Sequence, residues 1–250
     1  MEFGASQIGL IGLAILASSI VQGAVGFAVA LVAIPLLLQA GLDLPQSIFV
    51  VLICAIVQNA LGLRQTWKDT PIRNLWGWAC WRAMLIPPGF LLMQWMESYS
   101  KSELRQLFGI ILIIIIVLQL LFRPSPREKV HWGWTGLAIS VSGVCQGILG
   151  SPGPPIAFWV MAHDWDSRRS RGVMFFLFIT GSLPHLVLLL LVFSQQTTQK
   201  SLLIAAAGIP LSLLGTSVGL WIGNRFDKRR IRLAILVTLV VLSLSLILFP

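Results

Sequence analysis

Charged residues are scarce in this sequence. They make up 11% of its 250 residues, and only nine of them are Asp or Glu, whereas a soluble domain has roughly a quarter of its residues charged. Hydrophobic residues make up 56%, and the mean hydropathy is +0.87. So much apolar surface cannot be covered in water, and the composition therefore predicts an integral membrane protein.

Polar stretches are also too short to form a soluble domain of ordinary size, which excludes an appended enzymatic or nucleic-acid-binding domain. The sequence has no Gly-x-Ser-x-Gly motif, no His-Glu-x-x-His motif and no acidic residue in the middle of an apolar segment. These absences argue against an enzyme such as a membrane protease. The formal net charge of +9 comes from short loops, where positive charge sets membrane orientation rather than binding nucleic acid.

Cysteine is rare as well. Cys54, Cys80 and Cys145 each lie in an apolar segment, and none has a second cysteine at the spacing of a metal or redox site. We expect all three to be small buried hydrophobic residues, and we expect no metal and no cofactor.

Apolar segments fill the chain instead. A bilayer core of about 30 Å needs about 20 helical residues to cross it, and eight segments approach or exceed that length. They predict an all-α polytopic membrane protein. The segments comprise residues 3–42, 44–63, 74–97, 106–122, 132–162, 172–199, 201–224 and 233–250.

The second half of the sequence repeats features of the first. The sequence VQGAVG of Val21–Gly26 returns 124 positions later as CQGILG in Cys145–Gly150, and Pro87 has a counterpart in Pro210, 123 positions on. Such self-similarity indicates a duplicated unit. We therefore divide the chain into two repeats of four apolar segments each, residues 1–123 and 124–250.

The opening segment of each repeat is too long for one span. As a single helix, residues 3–42 would be about 60 Å long, and glycines interrupt them midway. Residues 132–162 contain three prolines between Gly150 and Pro155, which an unbroken helix does not tolerate. Each segment could be one kinked, tilted span or a re-entrant hairpin of two half-helices that returns to its starting side.

Basic residues in the loops favour the hairpin for the fifth segment. If all eight segments cross, the flanking Lys and Arg residues divide 7 to 10 between the two sides; if the fifth is re-entrant, they divide 14 to 3. The positive-inside rule favours the second arrangement, which places Lys129 and Arg168 on the cytoplasmic face. If the first segment is re-entrant too, each repeat crosses three times and the two repeats are inverted.

Both breaks predict an anion-binding site. Irregular backbone at membrane depth is tolerated only where it is buried in protein or lines a wet cavity, and a half-helix N-terminus carries a partial positive charge. Glycines let the backbone approach a ligand, although small residues also occur where helices simply pack closely. The candidate residues of the breaks are Gln22, Gly23, Gly26, Phe27, Gln146, Gly147, Gly150, Ser151, Gly153 and Pro154.

Three polar residues outside the breaks are further candidates. Arg82 lies inside an apolar segment, where it either adds a full positive charge to an anion path or snorkels to the interface. Asn59 is a candidate for a cavity wall. His185 could carry a proton, or its ring is simply hydrogen-bonded at a kink made by Pro184. Because two half-helix N-termini together carry about one positive charge, we expect them to hold a monoanion even without Arg82.

Taken together, the two motifs resemble the sulfite exporter TauE/SafE family, also called 4-toluene sulfonate uptake permeases. The resemblance rests on Gln22–Phe27 followed by Pro35, and on Gln146–Gly150 followed by Pro154 and Pro155. It implies a multi-pass secondary transporter of the cell (inner) membrane for sulfite or related small anions. The expected partners are that anion and the lipid bilayer, and a homodimer is left open. The alternative is a membrane assembly or scaffold protein that transports nothing.

Overall fold

The computed structural model describes residues 4–26, 29–96, 98–121, 126–128, 130–150, 152–225 and 228–248. Apart from one isolated β-bridge, the regular elements in these residues are helices. A short 3₁₀ turn lies at Trp67–Asp69. In chain order the α-helices are α1 (Ala5–Val25), α2 (Val29–Gln39), α3 (Leu44–Thr66), α4 (Ile72–Met84), α5 (Ile86–Met96), α6 (Lys101–Leu121), α7 (Trp132–Leu149), α8 (Gly153–Met161), α9 (Ser167–Val192), α10 (Gln195–Arg225) and α11 (Lys228–Leu248).

Within the described residues, four helical stretches are long and apolar enough to cross a membrane. Large apolar side chains such as Leu13, Leu191 and Trp221 are more than half exposed, which suits a surface that faces lipid. These features confirm the predicted all-α membrane class. The four stretches are Ser6–Ala24, Leu44–Asp69, Ser167–Val192 and Gln195–Gly223.

Both long opening segments are interrupted where the sequence predicts a break. The first helix of each pair ends one residue before a glycine with left-handed backbone, Gly26 at φ 88° and Gly150 at φ 63°. The glycine amide donates to the carbonyl of the motif glutamine four residues earlier, Gln22 in one case and Gln146 in the other, at 2.6 and 2.9 Å. A residue with a Cβ would be strained at this backbone conformation, which is why glycine ends both helices.

After its break, α8 runs back along α7. Trp159, near the end of α8, donates its indole N–H to Oγ1 of Thr135 in the first turn of α7 at 2.9 Å. Beyond both helices, the Arg127 amide donates to the Ala162 carbonyl at 3.0 Å, and the Asp164 amide donates to the Arg127 carbonyl at 3.1 Å. The chain therefore leaves α8 beside the point from which it entered α7.

The first pair of helices has a similar course. The helix α2 packs against α1, and Gly41, just past the end of α2, lies beside Gln7 near the start of α1, with 3.3 Å between an ideal Cβ position and Gln7 Nε2. In addition, the Arg105 guanidinium at the start of α6 donates to the carbonyl of Leu38 at 3.0 Å. The end of α2 thus lies level with the starts of α1 and α6.

The helices of the two sequence halves interlock. α1 packs along α10, α7 packs along α5, and α3 packs against α9. Glycines of the two motifs lie at these crossings: a Cβ on Gly23 would be 3.0 Å from Cα of Gly219, and a Cβ on Gly89 would be 3.0 Å from Cα of Gly147. Gly215 and Gly223 likewise face α1, so the glycines spaced every four residues on α10 form a helix-packing face.

Two sequence expectations are wrong. Cys80 is exposed and Cys145 is only partly buried, whereas both were expected to be buried, because a lipid-facing helix surface is as apolar as the interior and hydropathy does not distinguish them. The boundary between the sixth and seventh segments lies at Phe193 and Ser194 rather than at Lys200, which is inside α10. The Ser194 hydroxyl accepts from the Thr197 amide at 3.4 Å, so a capping residue and not a charge begins this helix.

The third apolar segment forms two helices. α4 ends at Met84 and α5 begins at Ile86, with Leu85 between them. Pro87 and Pro88 follow at once and have no amide N–H, which accounts for the interruption. By contrast, α10 is 31 residues long and continues through Pro210 without interruption.

Candidate functional site

Arg82 is the central residue of the candidate site. It lies in the last turn of α4, and its side chain is fully buried. Its Nε donates to Oγ of Ser142 at 2.9 Å, its Nη2 donates to Oε1 of Gln146 at 3.0 Å, and its Nη1 donates to the carbonyl of Leu177. The snorkelling alternative is therefore wrong, because the side chain points between α7 and α9 rather than to an interface.

Two glycines make room for this arginine. A Cβ on Gly181 of α9 would lie 2.6 Å from Cζ of Arg82, and a Cβ on Gly143 of α7 would lie 2.7 Å from the Arg82 carbonyl oxygen and 3.4 Å from its Cγ. Real Cβ contacts are rarely so short. The neighbouring helices can therefore close around Arg82 only because both positions lack a side chain.

The acceptors around Arg82 are all neutral: a hydroxyl, a carboxamide and a backbone carbonyl. Among the residues that the structure describes, the observed ion pair is between Arg168 and Asp69 at 2.9 Å. Both of those side chains are well exposed, and neither belongs to the surroundings of Arg82. A buried cation without a carboxylate partner is costly. An anion bound beside Arg82 would offset that cost.

The hydrogen bonds of Arg82 connect it to the break between α7 and α8. Gln146, which accepts from the guanidinium, donates its own Nε2 to the Gly150 carbonyl at 3.3 Å. Ser142, which also accepts from the guanidinium, donates its hydroxyl to the Pro152 carbonyl at 3.2 Å. The backbone on both sides of the break is thus held by two residues that bind Arg82. Ser151, between them, lies outside the described residues.

The N-terminus of α8 has fewer amides than an ordinary helix. Pro154 and Pro155 occupy its first turn, and neither has an N–H to donate. Gly153 and Ile156 are the residues of that turn that have one. Pro154 can therefore shape the break but cannot donate to an anion, and the helix terminus is a weaker anion site than the sequence motif suggested.

The break between α1 and α2 is organised differently. Gln22 is buried, its Nε2 donates to Oδ1 of Asn59 at 3.3 Å, and its Oε1 accepts from the Val29 amide at 3.2 Å. Gln22 therefore caps the start of α2 and joins it to α3. The hydrogen bonds of this cluster involve no charged side chain among the described residues, and Phe27 lies outside them.

His185 lies on α9 close to Arg82. Its side chain is fully buried and its ring packs edge-on against Phe90, with 5.8 Å between the ring centroids. Within the described part of the chain, neither ring nitrogen makes a hydrogen bond of ordinary geometry, although the Arg82 guanidinium and the Gln146 backbone are near enough to interact with it. α9 continues through Pro184, so the ring is placed by a continuous helix rather than at a helix end.

The structure thus separates the predicted residues into two clusters. Arg82, Gln146 and Gly150 meet at the second break, whereas Gln22 and Asn59 meet at the first, and Gly23 and Gly147 lie at helix crossings. Sequence reasoning missed Ser142. Its signal was the four-residue spacing of Ser142, Gln146 and Gly150, which places all three on one face of α7.

Comparison with known proteins identifies the family of the chain. The family profile described as Sulfite exporter TauE/SafE matches residues 10–246, nearly the full length of the chain. No curated protein and no solved structure gives a match. The family consists of membrane transporters for sulfur-containing anions and not of enzymes. The chain is therefore a member of the sulfite exporter TauE/SafE family.

Proposed function

We propose that this protein is a secondary transporter of the cell membrane that carries sulfite or a similar small sulfur oxyanion or organosulfonate. We further propose that the anion binds beside Arg82 at the break between α7 and α8. The observation that carries this proposal is the full burial of Arg82 among neutral acceptors. An anion that leaves water must have its hydration replaced, and a guanidinium provides charge-assisted hydrogen bonds for that purpose.

Arg82 takes a larger part in this proposal than the helix N-termini do. The amide of Val29 at the start of α2 already binds Gln22, and two prolines remove donors from the start of α8. A dipole contribution from these ends remains, but the full charge nearby is the stronger attraction.

The membrane arrangement that we propose has a re-entrant hairpin in each repeat. The hydrogen bonds of Arg127 with Ala162 and Asp164 support the return of α8 to the starting side of α7. The contact between Arg105 and the Leu38 carbonyl supports the same course for α2. Each repeat then crosses three times, and the two repeats have opposite orientation, which is a common design of secondary transporters.

The described conformation is closed around the site. Arg82, Gln146 and His185 are all fully buried, so an anion reaches them only after helices move apart. Alternating access of this kind, with a site at the interface of two inverted repeats, is expected of such transporters.

Uptake of labelled sulfite into liposomes that contain the purified protein tests the proposal. We expect the wild type to take up the anion. In Arg82→Gln the affinity for the anion should fall roughly 10- to 100-fold, because a buried, charge-assisted set of hydrogen bonds is removed, and uptake at low anion concentration should fall with it. Arg64→Gln is the matched control, since Arg64 is exposed at the end of α3. No movement of any sulfur oxyanion or sulfonate by the wild type would favour the scaffold alternative.

A further inference from the structure

We propose that His185 makes the site selective for hydrogen oxyanions, that is, monoanions that keep one O–H group, such as hydrogensulfite. Sulfonates of the same charge and similar shape have no such O–H group. This inference rests on the proposed function, because it specifies which anion the Arg82 site holds.

The position of His185 relates it to Arg82. His185 follows Gly181 by four residues on α9 and so lies on the same helix face, and Gly181 is the glycine that contacts the guanidinium. Both ring nitrogens of His185 are buried and lack an ordinary hydrogen bond among the described residues. Buried polar groups in native proteins nearly always have a partner, and a ligand that donates to the ring would provide one.

The other acceptors of the site already bind Arg82. Arg82 can only donate. Oε1 of Gln146 and Oγ of Ser142 each accept from Arg82, while Nε2 and the hydroxyl of the same two residues donate to backbone carbonyls. A neutral imidazole has one lone pair that can accept a hydrogen bond. His185 is the acceptor in this site that has no hydrogen-bond partner among the described residues, so it can accept the O–H of an anion whose other oxygens face Arg82 without competing with the guanidinium.

The charges around His185 favour a neutral ring that accepts a hydrogen bond over a protonated ring that acts as a second cation. Among the described residues, Arg82 on α4 is the charged group that acts on the His185 ring, and Cys145 on α7 is the titratable side chain that faces Arg82 in turn. An imidazolium would place two positive charges together without a carboxylate between them. A neutral ring beside a guanidinium instead offers one acceptor and one charge, which matches a hydrogen oxyanion.

Equilibrium binding of two monoanions tests the inference, with hydrogensulfite and methanesulfonate measured at one mildly acidic pH on the detergent-purified, full-length protein. In the wild type we expect hydrogensulfite to bind roughly tenfold more tightly, which corresponds to one net hydrogen bond. In His185→Leu this preference should disappear while methanesulfonate binding is unchanged. His185→Gln keeps an acceptor oxygen and should keep part of the preference. His131→Asn is the control, since His131 is exposed at the start of α7.

The outcomes separate this inference from the proposed function. If the wild type binds neither anion, the proposed function is wrong. If it binds both equally, or if His185→Leu weakens both by the same factor, the anion site stands and the selectivity role of His185 is wrong. If His185→Leu fails to fold, the test rests on the wild type and on His185→Gln, which both have a hydrogen-bond acceptor at this position. Both should then bind hydrogensulfite more tightly than methanesulfonate.

Discussion

At the break between α1 and α2, Gln22 accepts from an amide of the following helix and donates to Asn59. At the break between α7 and α8, the equivalent Gln146 accepts from Arg82 and donates to the carbonyl of Gly150. The same residue in the same backbone setting thus completes a helix cap in one half and orients a cation in the other.

The difference extends to the helices that pack on each break. The position 123 residues after Arg82, in the register of Pro87 and Pro210, is Ala205, which is buried in α10. Among the described residues, a cation therefore binds at one break and not at its counterpart. We infer that duplication supplied two similar scaffolds and that recognition of the anion is concentrated in the second.

The sharpest test of the comparison determines the side of the membrane on which each proposed hairpin begins and ends, α1 with α2 and α7 with α8. In a background without the native cysteines, single cysteines at Ser6 and Gln39 should react with an impermeant reagent added outside intact cells. Cysteines at Glu128 and Asp164 should be protected, because the inverted repeats that we propose would place the two hairpins on opposite sides. Labelling of only one position within either hairpin would show that its segment crosses.

The two motif glutamines should respond differently to replacement by leucine. Gln146→Leu leaves a buried guanidinium nitrogen without its acceptor, and we expect anion binding to weaken roughly 10- to 100-fold. Gln22→Leu removes the acceptor of the Val29 amide and the donor to Oδ1 of Asn59, and we expect a loss of about 1 to 3 kcal/mol in stability with anion binding largely retained. Calorimetric binding and thermal unfolding of both variants check this, and equal losses of binding would show that both breaks contact the anion.

The glycines that end α1 and α7 should also differ. Both have positive φ, so alanine costs about 1 to 2 kcal/mol at either site. A Cβ on Gly150 would in addition lie 2.8 Å from Cγ2 of the fully buried Ile48, whereas a Cβ on Gly26 would lie 3.5 Å from the flexible end of Met174. Gly150→Ala should therefore lower the midpoint of thermal unfolding more than Gly26→Ala does.

Ile48→Ala provides the control for that prediction. It removes both side-chain atoms nearest to the new Cβ at position 150, so Gly150→Ala with Ile48→Ala should be less destabilising than the sum of the single changes. Strict additivity would indicate that backbone strain alone explains the cost.

The smallest effect on stability is expected where α8 pairs with α7. Thr135→Val removes the acceptor of the Trp159 indole, and we expect stability to fall by about 1 kcal/mol without a change in anion affinity. Thermal unfolding and equilibrium binding of the same preparation measure both quantities. Weaker anion binding in this variant would mean that the pairing of α8 with α7 helps to shape the site.

The helix class and both breaks were predictable from the sequence because their causes are local. Apolar length specifies a membrane helix, and glycine or proline interrupts it wherever it occurs. The packing role of Gly215, Gly219 and Gly223 was also readable, since a four-residue spacing places them on one face.

The environment of Arg82 was not predictable, because its partners are distant in sequence. Ser142, Gln146 and Leu177 lie on two other helices, 60, 64 and 95 positions away, and no periodicity within α4 indicates them. Near Arg82 the side chains of Trp76 and Trp81 are exposed, while the arginine faces inward. In a membrane helix, apolar character does not show which face is buried.

The helices α1 and α10 pack together but are synthesised at different times. About 170 residues lie between these helices, and ribosomes add roughly 5 to 20 residues per second, so α1 is synthesised some tens of seconds before α10. During that interval Gly23 faces lipid or another protein instead of Gly219. We therefore expect α1 to reach its final packing only after α10 has inserted, and a chain truncated after residue 123 should be recognised by the cell as an unassembled protein.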